Sequence, residues 1–215
     1  MNGGPYAMDE ITRQAGAGAG QADEGDVFSY DLVPYHSLPF AGTHPNHLAA
    51  IATIFGMKPP AIETCRILEM ACASGGNIIP MAAYLPGCEA VGIDLSARQI
   101  EEGEKTIKAL GLKNIELRCH GIQDISAKLG KFDYIIAHGV YSWVTDDVRK
   151  KIVAVCKENL TENGVAYVSY NTYPGWHMPQ ALREMMLYHT AAFKDHKARV
   201  GQARAFLRFL FEATK

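Results

Sequence analysis

The stretch that decides the fold is "CRILEMACASGGNIIPMA", Cys65 to Ala82. A run of β-branched and aliphatic residues, Cys65 to Met70, breaks into a loop of small side chains and resumes as an apolar segment. "RILEMA" has the length and composition of a short buried strand. "NIIPMAAYL" reads as a helix with Pro80 in its first turn, where a missing N–H costs little. Short side chains between the two imply a backbone that must come close to something. An acid, Glu69, stands just before that turn.

The same alternation continues downstream. "EAVGIDL" is a second strand. "SARQIEEGEKTIKALG" is a helix whose Ser96 and Gln99 form a capping box and whose Gly111 ends it. "IELRCH" and "FDYIIAHGV" are strands three and four. "TDDVRKKIVAVCKENL" is a helix with acids at its start and basic residues beyond, and "GVAYVSYNT" is strand five. Strands separated by helices of this length give an α/β, Rossmann-like fold, a mostly parallel sheet with helices on both faces. Ligands on such sheets sit at the carboxyl ends of the strands, near the point where strand order reverses.

Upstream, "THPNHLAAIATIFGM" predicts a helix. Thr43 or His44 caps it, Pro45 takes its first position, and Leu48, Ile51, Ile54 and Phe55 form its apolar face. Pro34 and Pro39 forbid a regular helix in "FSYDLVPYHSLPF". Residues 1–26, with "AGAGAG", read as a flexible arm. Everything from "HMPQALREMMLYHTAAF" to "ARAFLRFLFEATK" reads as helical and ends on apolar Leu207, Phe209, Leu210 and Phe211, as though cut within an architecture or docked on a partner. The expected organisation is an arm over 1–26, a cofactor-covering segment and helix over 27–60, a core over 61–177, and a helical segment over 178–215 that continues into a missing C-terminal part.

Composition sets outer bounds. A chain of 215 residues with 48% hydrophobic and 20% charged side chains suits one globular domain. A formal charge of −2 gives no reason to expect nucleic acid or a membrane surface as partner. No apolar run approaches the roughly 18–20 residues of a membrane helix, and no secretory signal opens the chain. Five cysteines without C-x-x-C spacing point to a reducing compartment, so the expected location is cytoplasmic. His44 and His47 are spaced for one helix face, but no third ligand accompanies them, and no metal site is expected.

Two guests suit a strand that turns sharply into a helix. Such a turn offers backbone N–H groups and a positive dipole end, which suits dinucleotide pyrophosphate. The G-x-G-x-x-G positions, however, fall on Ala71, Ala73 and Gly76. S-adenosylmethionine (SAM) has no phosphate. It presents an ammonium, a carboxylate, a sulfonium, a ribose and an adenine. An acid ending strand one can hold the zwitterion, and a second ending strand two can accept the ribose hydroxyls. Glu69 and Asp94 occupy those places.

At these residues the sequence resembles the class I SAM-dependent methyltransferases, whose first motif is roughly [D/E]-x-G-x-G-x-G and stands here as "EMACASG". The likeness runs through "VGIDLS", "GKFDYIIAHGVYSWV" and "GVAYVSYNTYPGW", over about residues 28–178. "YDLVPYHSLPFAGTHP", "IAHGVYSWV" and "SYNTYPGWH" further resemble a bacterial group in which a core methyltransferase domain precedes a C-terminal regulatory domain. Some of that group are protein lysine methyltransferases. The resemblance implies SAM as cofactor and S-adenosyl-L-homocysteine as product, held by Glu69, Ala71, Ala73, Gly75 and Asn77 around the turn. Asp94 and Leu95 follow strand two, Ile122 and Asp124 follow strand three, His138 follows strand four, and Tyr30 covers from the arm. Asn77 is equally a helix cap. Ala71 and Ala73 replace motif glycines, and the acid that often binds the adenine amino group falls on Gly121. Asp124 either substitutes for it or caps the helix "ISAKLG".

Methyl transfer from a sulfonium is an in-line displacement, so the protein mainly aligns the nucleophile and excludes water. A lysine acceptor must be neutral, and an aromatic, dehydrated channel lowers its pKa. Tyr141, Trp143, Tyr170 and Tyr173 are assigned to that channel and His138 to base or hydrogen-bonding partner, with His138, Tyr141 and Tyr173 as the catalytic set. The acceptor is a protein or a small molecule. Packing beneath a missing C-terminal part explains the same aromatic clusters. An exposed edge at strand five favours a homodimer. Ala71, Ala73 and Gly121 equally suit a catalytically degenerate binding or regulatory module.

Overall fold

β1 (Arg66–Met70) lies at the centre of the sheet because its side chains are apolar on both faces. Ile67 packs with Ile78, Leu117, Tyr134 and Ile136, while Leu68 packs on the other side with Val91, Ile93, Ile135 and Ile152. A strand buried on both faces belongs to a parallel sheet covered by helices. β1 pairs with β2 (Glu89–Asp94) and with β4 (Phe132–Ala137); β3 (Ile115–Cys119) lies beyond β2 and β5 (Leu160–Val168) beyond β4, all parallel, in the order 3-2-1-4-5. The chain leaves β3 at one edge and returns to β4 beside β1. The reversal of strand order therefore falls between the carboxyl ends of β1 and β4.

The computed structural model describes Tyr35 and residues 37–214; Tyr30 lies outside the described residues. Two compact units divide them after Tyr170. The first carries the sheet with α1 (Pro45–Ile54), α2 (Ile78–Tyr84), α3 (Ala97–Leu110) and α4 (Asp146–Asn159). The second carries α5 (His177–Thr190) and α6 (His196–Ala213), where the rings of His189 and Phe206 stack at 5.1 Å. No described helix is long and apolar enough to cross a membrane.

Local chemistry sets the boundaries of these elements. Ser96 caps α3 by accepting from the Gln99 N–H at 3.2 Å, and Gly111 ends it in the left-handed conformation. The capping box is only half made. Asp94 takes the Ser96 N–H at 2.9 Å, and Gln99 Oε1 is buried without a partner. His44 is the cap of α1: its Nδ1 accepts from the Asn46 N–H, and burial pulls the imidazole pKa down.

Three expectations are corrected. α1 buries Pro45, Leu48 and Ala52, whereas Ile54 and Phe55 are each 82% exposed, so its buried stripe is rotated from the one the apolar residues suggest. β5 starts at Leu160, directly from α4, and ends at Val168. Leu160 faces Phe132 and Val165 faces Tyr134, so residues 161–164 bulge from the ladder, tied back by the Thr161 hydroxyl on Asp133. The C-terminal helical run breaks between Thr190 and His196, because Asp195 accepts from the Ala198 N–H at 2.7 Å and starts a new helix.

The turn after β1 keeps a glycine-like backbone without the glycines. Ala71 and Ala73 hold φ of 59° and 50°, and Gly75 follows at 77°. What comes close to the turn is the protein's own chain. A Cβ on Gly76 would lie 2.2 Å from the carbonyl oxygen of Ser37. That residue belongs to a strap, residues 37–43, laid across the turn.

Two substitutions separate the roles. Gly76→Ala drives a methyl into a backbone carbonyl and is expected to lower the thermal midpoint and make the strap protease-sensitive. Ala73→Gly removes a left-handed strain of roughly 1–2 kcal/mol against a glycine entropy cost of about 0.5–1 kcal/mol. Urea unfolding is expected to show stability unchanged or higher; a clear loss would mean that the alanine methyl packs more than it strains.

Candidate functional site

β1 carries Glu69 to the rim as a buried residue, 4% exposed. Its Oε1 accepts from Asn77 Nδ2 at 2.7 Å, while Oε2 is buried with no partner. Desolvation pushes its pKa up to about 7; the Asn77 hydrogen bond opposes the shift and the nearby Asp94 charge adds to it. A carboxyl group with one oxygen unspent and water excluded is suited to a cation that arrives with its own donors.

Asn77 is not the cap the helix start suggests. It is itself in helical conformation and makes no capping bond. Its Nδ2 hydrogens go to Glu69 and to Thr43 Oγ1 at 3.0 Å, and its Oδ1 accepts from the Phe40 N–H at 2.8 Å. The orientation is unambiguous, because the reversed amide would set oxygen against carboxylate and NH2 against N–H. The amide's capacity is spent inside the protein.

Asp94, at the end of β2, braces the turn. One oxygen accepts from the Ala73 N–H at 2.8 Å and the other from Ser96 N–H, leaving each a further lone pair. Gly75 N–H donates to Cys72 O, and Gly76 N–H to Ser37 Oγ. Three turn N–H groups that a pyrophosphate would need thus point to partners within the chain. The turn is built for close approach, not for phosphate.

Leu95, beside Asp94, is 54% exposed on the rim. Ile122 opens a 3-10 turn (Ile122–Asp124), and Asp124 Oδ2 accepts from the Gly121 N–H at 3.0 Å. A Cβ on Gly121 would lie 2.9 Å from that same Oδ2. The carboxylate therefore caps its own turn and also occupies the space a side chain at 121 would enter.

At the end of β4, His138 stacks face to face on Phe40, with centroids 4.3 Å apart and planes 10° from parallel. Its Nδ1 lies 3.1 Å from Ser169 Oγ, which also accepts the Gly139 N–H. Burial lowers the His138 pKa, so the ring is neutral near pH 7. Tyr141 opens a 3-10 turn (Tyr141–Trp143) held by Arg149 Nε on its carbonyl, and its ring packs at 6.0 Å against Tyr170. Tyr173 belongs to the second unit, where it stacks on His177.

The sequence reading missed Ser37, Phe40, Thr43 and Ser169. All four act across separations of 31–39 residues or through an aromatic stack, for which no local pattern exists.

Comparison with known proteins agrees with this geometry. The methyltransferase domain family matches residues 67–164. The uncharacterized protein RP789 of Rickettsia prowazekii is 51% identical over 89% of this chain and 34% of its own length. RP028 of the same organism is 43% identical over 85% of this chain and 73% of its own. The structure of PKMT2 from Rickettsia typhi in complex with AdoHcy superposes with a TM-score of 0.75 at 42% identity, over 84% of this chain and 35% of that one. The chain thus spans about a third of RP789 and of PKMT2. On the fold, the acid-bearing turn and these relatives together, the chain belongs to the class I S-adenosylmethionine-dependent methyltransferases.

Proposed function

We propose that the chain is the cofactor-binding core of a methyltransferase that acts on an amine, a protein lysine above all. The observation that carries the reading is Glu69, a buried carboxyl group with one oxygen unpartnered. It suits the ammonium of SAM. Asp94, with its remaining lone pairs, suits the ribose hydroxyls. Leu95 and Ile122 flank the adenine, and Asp124 supplies the carboxylate that Gly121 lacks. Ala71, Ala73 and Gly75 let the methionine part approach the backbone, while Asn77 orients Glu69. SAM, when bound, supplies the electrophilic methyl group.

The remaining chemistry belongs to the rim beyond β4. Neutral His138 takes the proton of the attacking amine or accepts its hydrogen bond. Tyr141 and Tyr170 form an aromatic wall that keeps that amine desolvated and hence neutral. The lysine assignment is supported by PKMT2, a protein lysine methyltransferase. The open edge of β5, none of whose residues is buried, favours a homodimer, and five cysteines that form no disulfide favour the cytoplasm.

Calorimetric titration with SAM, S-adenosyl-L-homocysteine and NAD tests the reading. Micromolar binding of the first two, none of the third, and a loss of tenfold or more in Asp94→Ala are expected. Equal binding of NAD, or no binding at all, would overturn it.

The Glu69 carboxyl adds a pH signature. Its folded pKa lies above the ordinary 4.5, so the protonated form favours the fold. Stability without ligand is highest below about pH 4.5 and falls as pH rises through about 7, by at most ~3 kcal/mol. A bound ammonium favours the ionised form. S-adenosyl-L-homocysteine affinity is therefore expected to rise with pH up to about 7 and then level, with a proton released below that point. Glu69→Gln is expected to abolish both slopes and to weaken binding tenfold or more; a slope that survives in this variant would assign the titration to another group.

A further inference from the structure

Glu69 is joined to the strap through two side chains, Asn77 and Thr43, of which the second has no part in the proposed chemistry. Asn77, 6% exposed, holds Glu69 with one Nδ2 hydrogen and Thr43 Oγ1 with the other. Thr43, fully buried, passes its own hydroxyl hydrogen to the Phe40 carbonyl at 2.8 Å. Asn77 Oδ1 receives the Phe40 N–H. The N–H and the C=O of Phe40, which belong to successive peptide groups, are thus both held by a pair of side chains that ends on the Glu69 carboxyl, the carbonyl also accepting the Thr43 N–H. The Phe40 ring lies flat on His138, and Ser37 closes the near end of the strap on Gly76.

We propose that Thr43 and Asn77 are positioning residues that make capture of a cation at Glu69 and seating of strap 37–43 a single event. The inference rests on the reading that Glu69 meets the ammonium of a SAM-type ligand. The physical ground is the economy of hydrogen bonds in a dry site. An ionised Glu69 accepts more strongly from Asn77 than a protonated one. A tightened Asn77 amide presents its Oδ1 to Phe40 in a fixed direction, and the Thr43 hydroxyl, which accepts from Asn77 while donating to the Phe40 carbonyl, carries the same constraint to the other side of that residue. The strap in turn sets the plane of Phe40, and with it the face of His138 turned to an acceptor. Cofactor binding on one side of the turn thereby prepares the acceptor side, with neither Thr43 nor Phe40 touching Glu69.

Thr43→Val tests this. It removes the hydroxyl at nearly constant volume and leaves Glu69 and Asn77 in place; Thr43→Ser restores the hydroxyl. In the unsubstituted protein, S-adenosyl-L-homocysteine is expected to slow hydrogen exchange of the Phe40 amide tenfold or more. In Thr43→Val that slowing is expected to disappear and affinity to fall about three- to tenfold, and Thr43→Ser is expected to recover both. Should Thr43→Val fold poorly, Thr43→Ala, which also leaves the Asn77–Glu69 bond in place, gives the same comparison. If the unsubstituted protein binds S-adenosyl-L-homocysteine while the Phe40 amide is indifferent to it, or if Thr43→Val binds and protects like the parent, the coupling is wrong though the function stands. If the unsubstituted protein does not bind, the functional reading itself fails.

Discussion

The hydrogen bond from Asn77 to the Glu69 carboxyl, made where water is excluded, is the constraint on which the rest of the site depends. Burying an acid with a single donor is costly, and that cost pushes the Glu69 pKa up. The sheet imposes the burial. β1 lies between β2 and β4, so whatever side chain ends it is walled in by two strands and by the chain that turns away above. The fold could have removed the penalty with an apolar residue. It keeps a carboxyl group instead and leaves one oxygen open, which is a sensible arrangement only where a charged partner completes the shell.

Asp94 solves a different problem. The turn runs through three left-handed residues, two of them alanines, and such a path needs external support. The carboxylate provides it by holding the Ala73 N–H on one oxygen and starting α3 with the other. The group proposed to meet the ribose is therefore also the turn's brace. With Cys72, Ser37 and Asp94 absorbing turn N–H groups, little remains to cradle an anion, and the backbone works by being close. This separates a sulfonium nucleoside from a dinucleotide more firmly than the missing glycines do, since alanine evidently tolerates the turn.

The legible parts of the molecule are those encoded within a few residues. The buried strands announce themselves as β-branched runs, and α3 by Ser96 and Gly111. The two acids at strand ends needed only the strand assignments. Misreadings arose where tertiary contact outranks local pattern. α1 rotates because Pro45 and Ala52 face the core, and β5 begins at Leu160 because Phe132 is there to pair with it. Asn77 sits where a cap belongs but spends its side chain on Glu69 and the strap. The strap itself was visible only as a proline-restricted loop. Its function depends on Ser37 and Phe40 finding partners nearly forty residues away, a relation that no periodicity records.

The division of the chain bears on how such an enzyme would evolve its substrate choice. Glu69, Asp94, the turn, the strap and His138 all lie in one unit. Tyr141 and Tyr170 belong to that unit and Tyr173 to the other. Glu69, Asp94 and Asn77 are bound by strict geometry, since each hydrogen bond there braces another. Tyr170, proposed to face the acceptor, is 63% exposed, with loose packing demands. Substitution at Tyr170 can therefore proceed without disturbing the carboxylates, whereas a change in the strap reaches the turn and His138 at once.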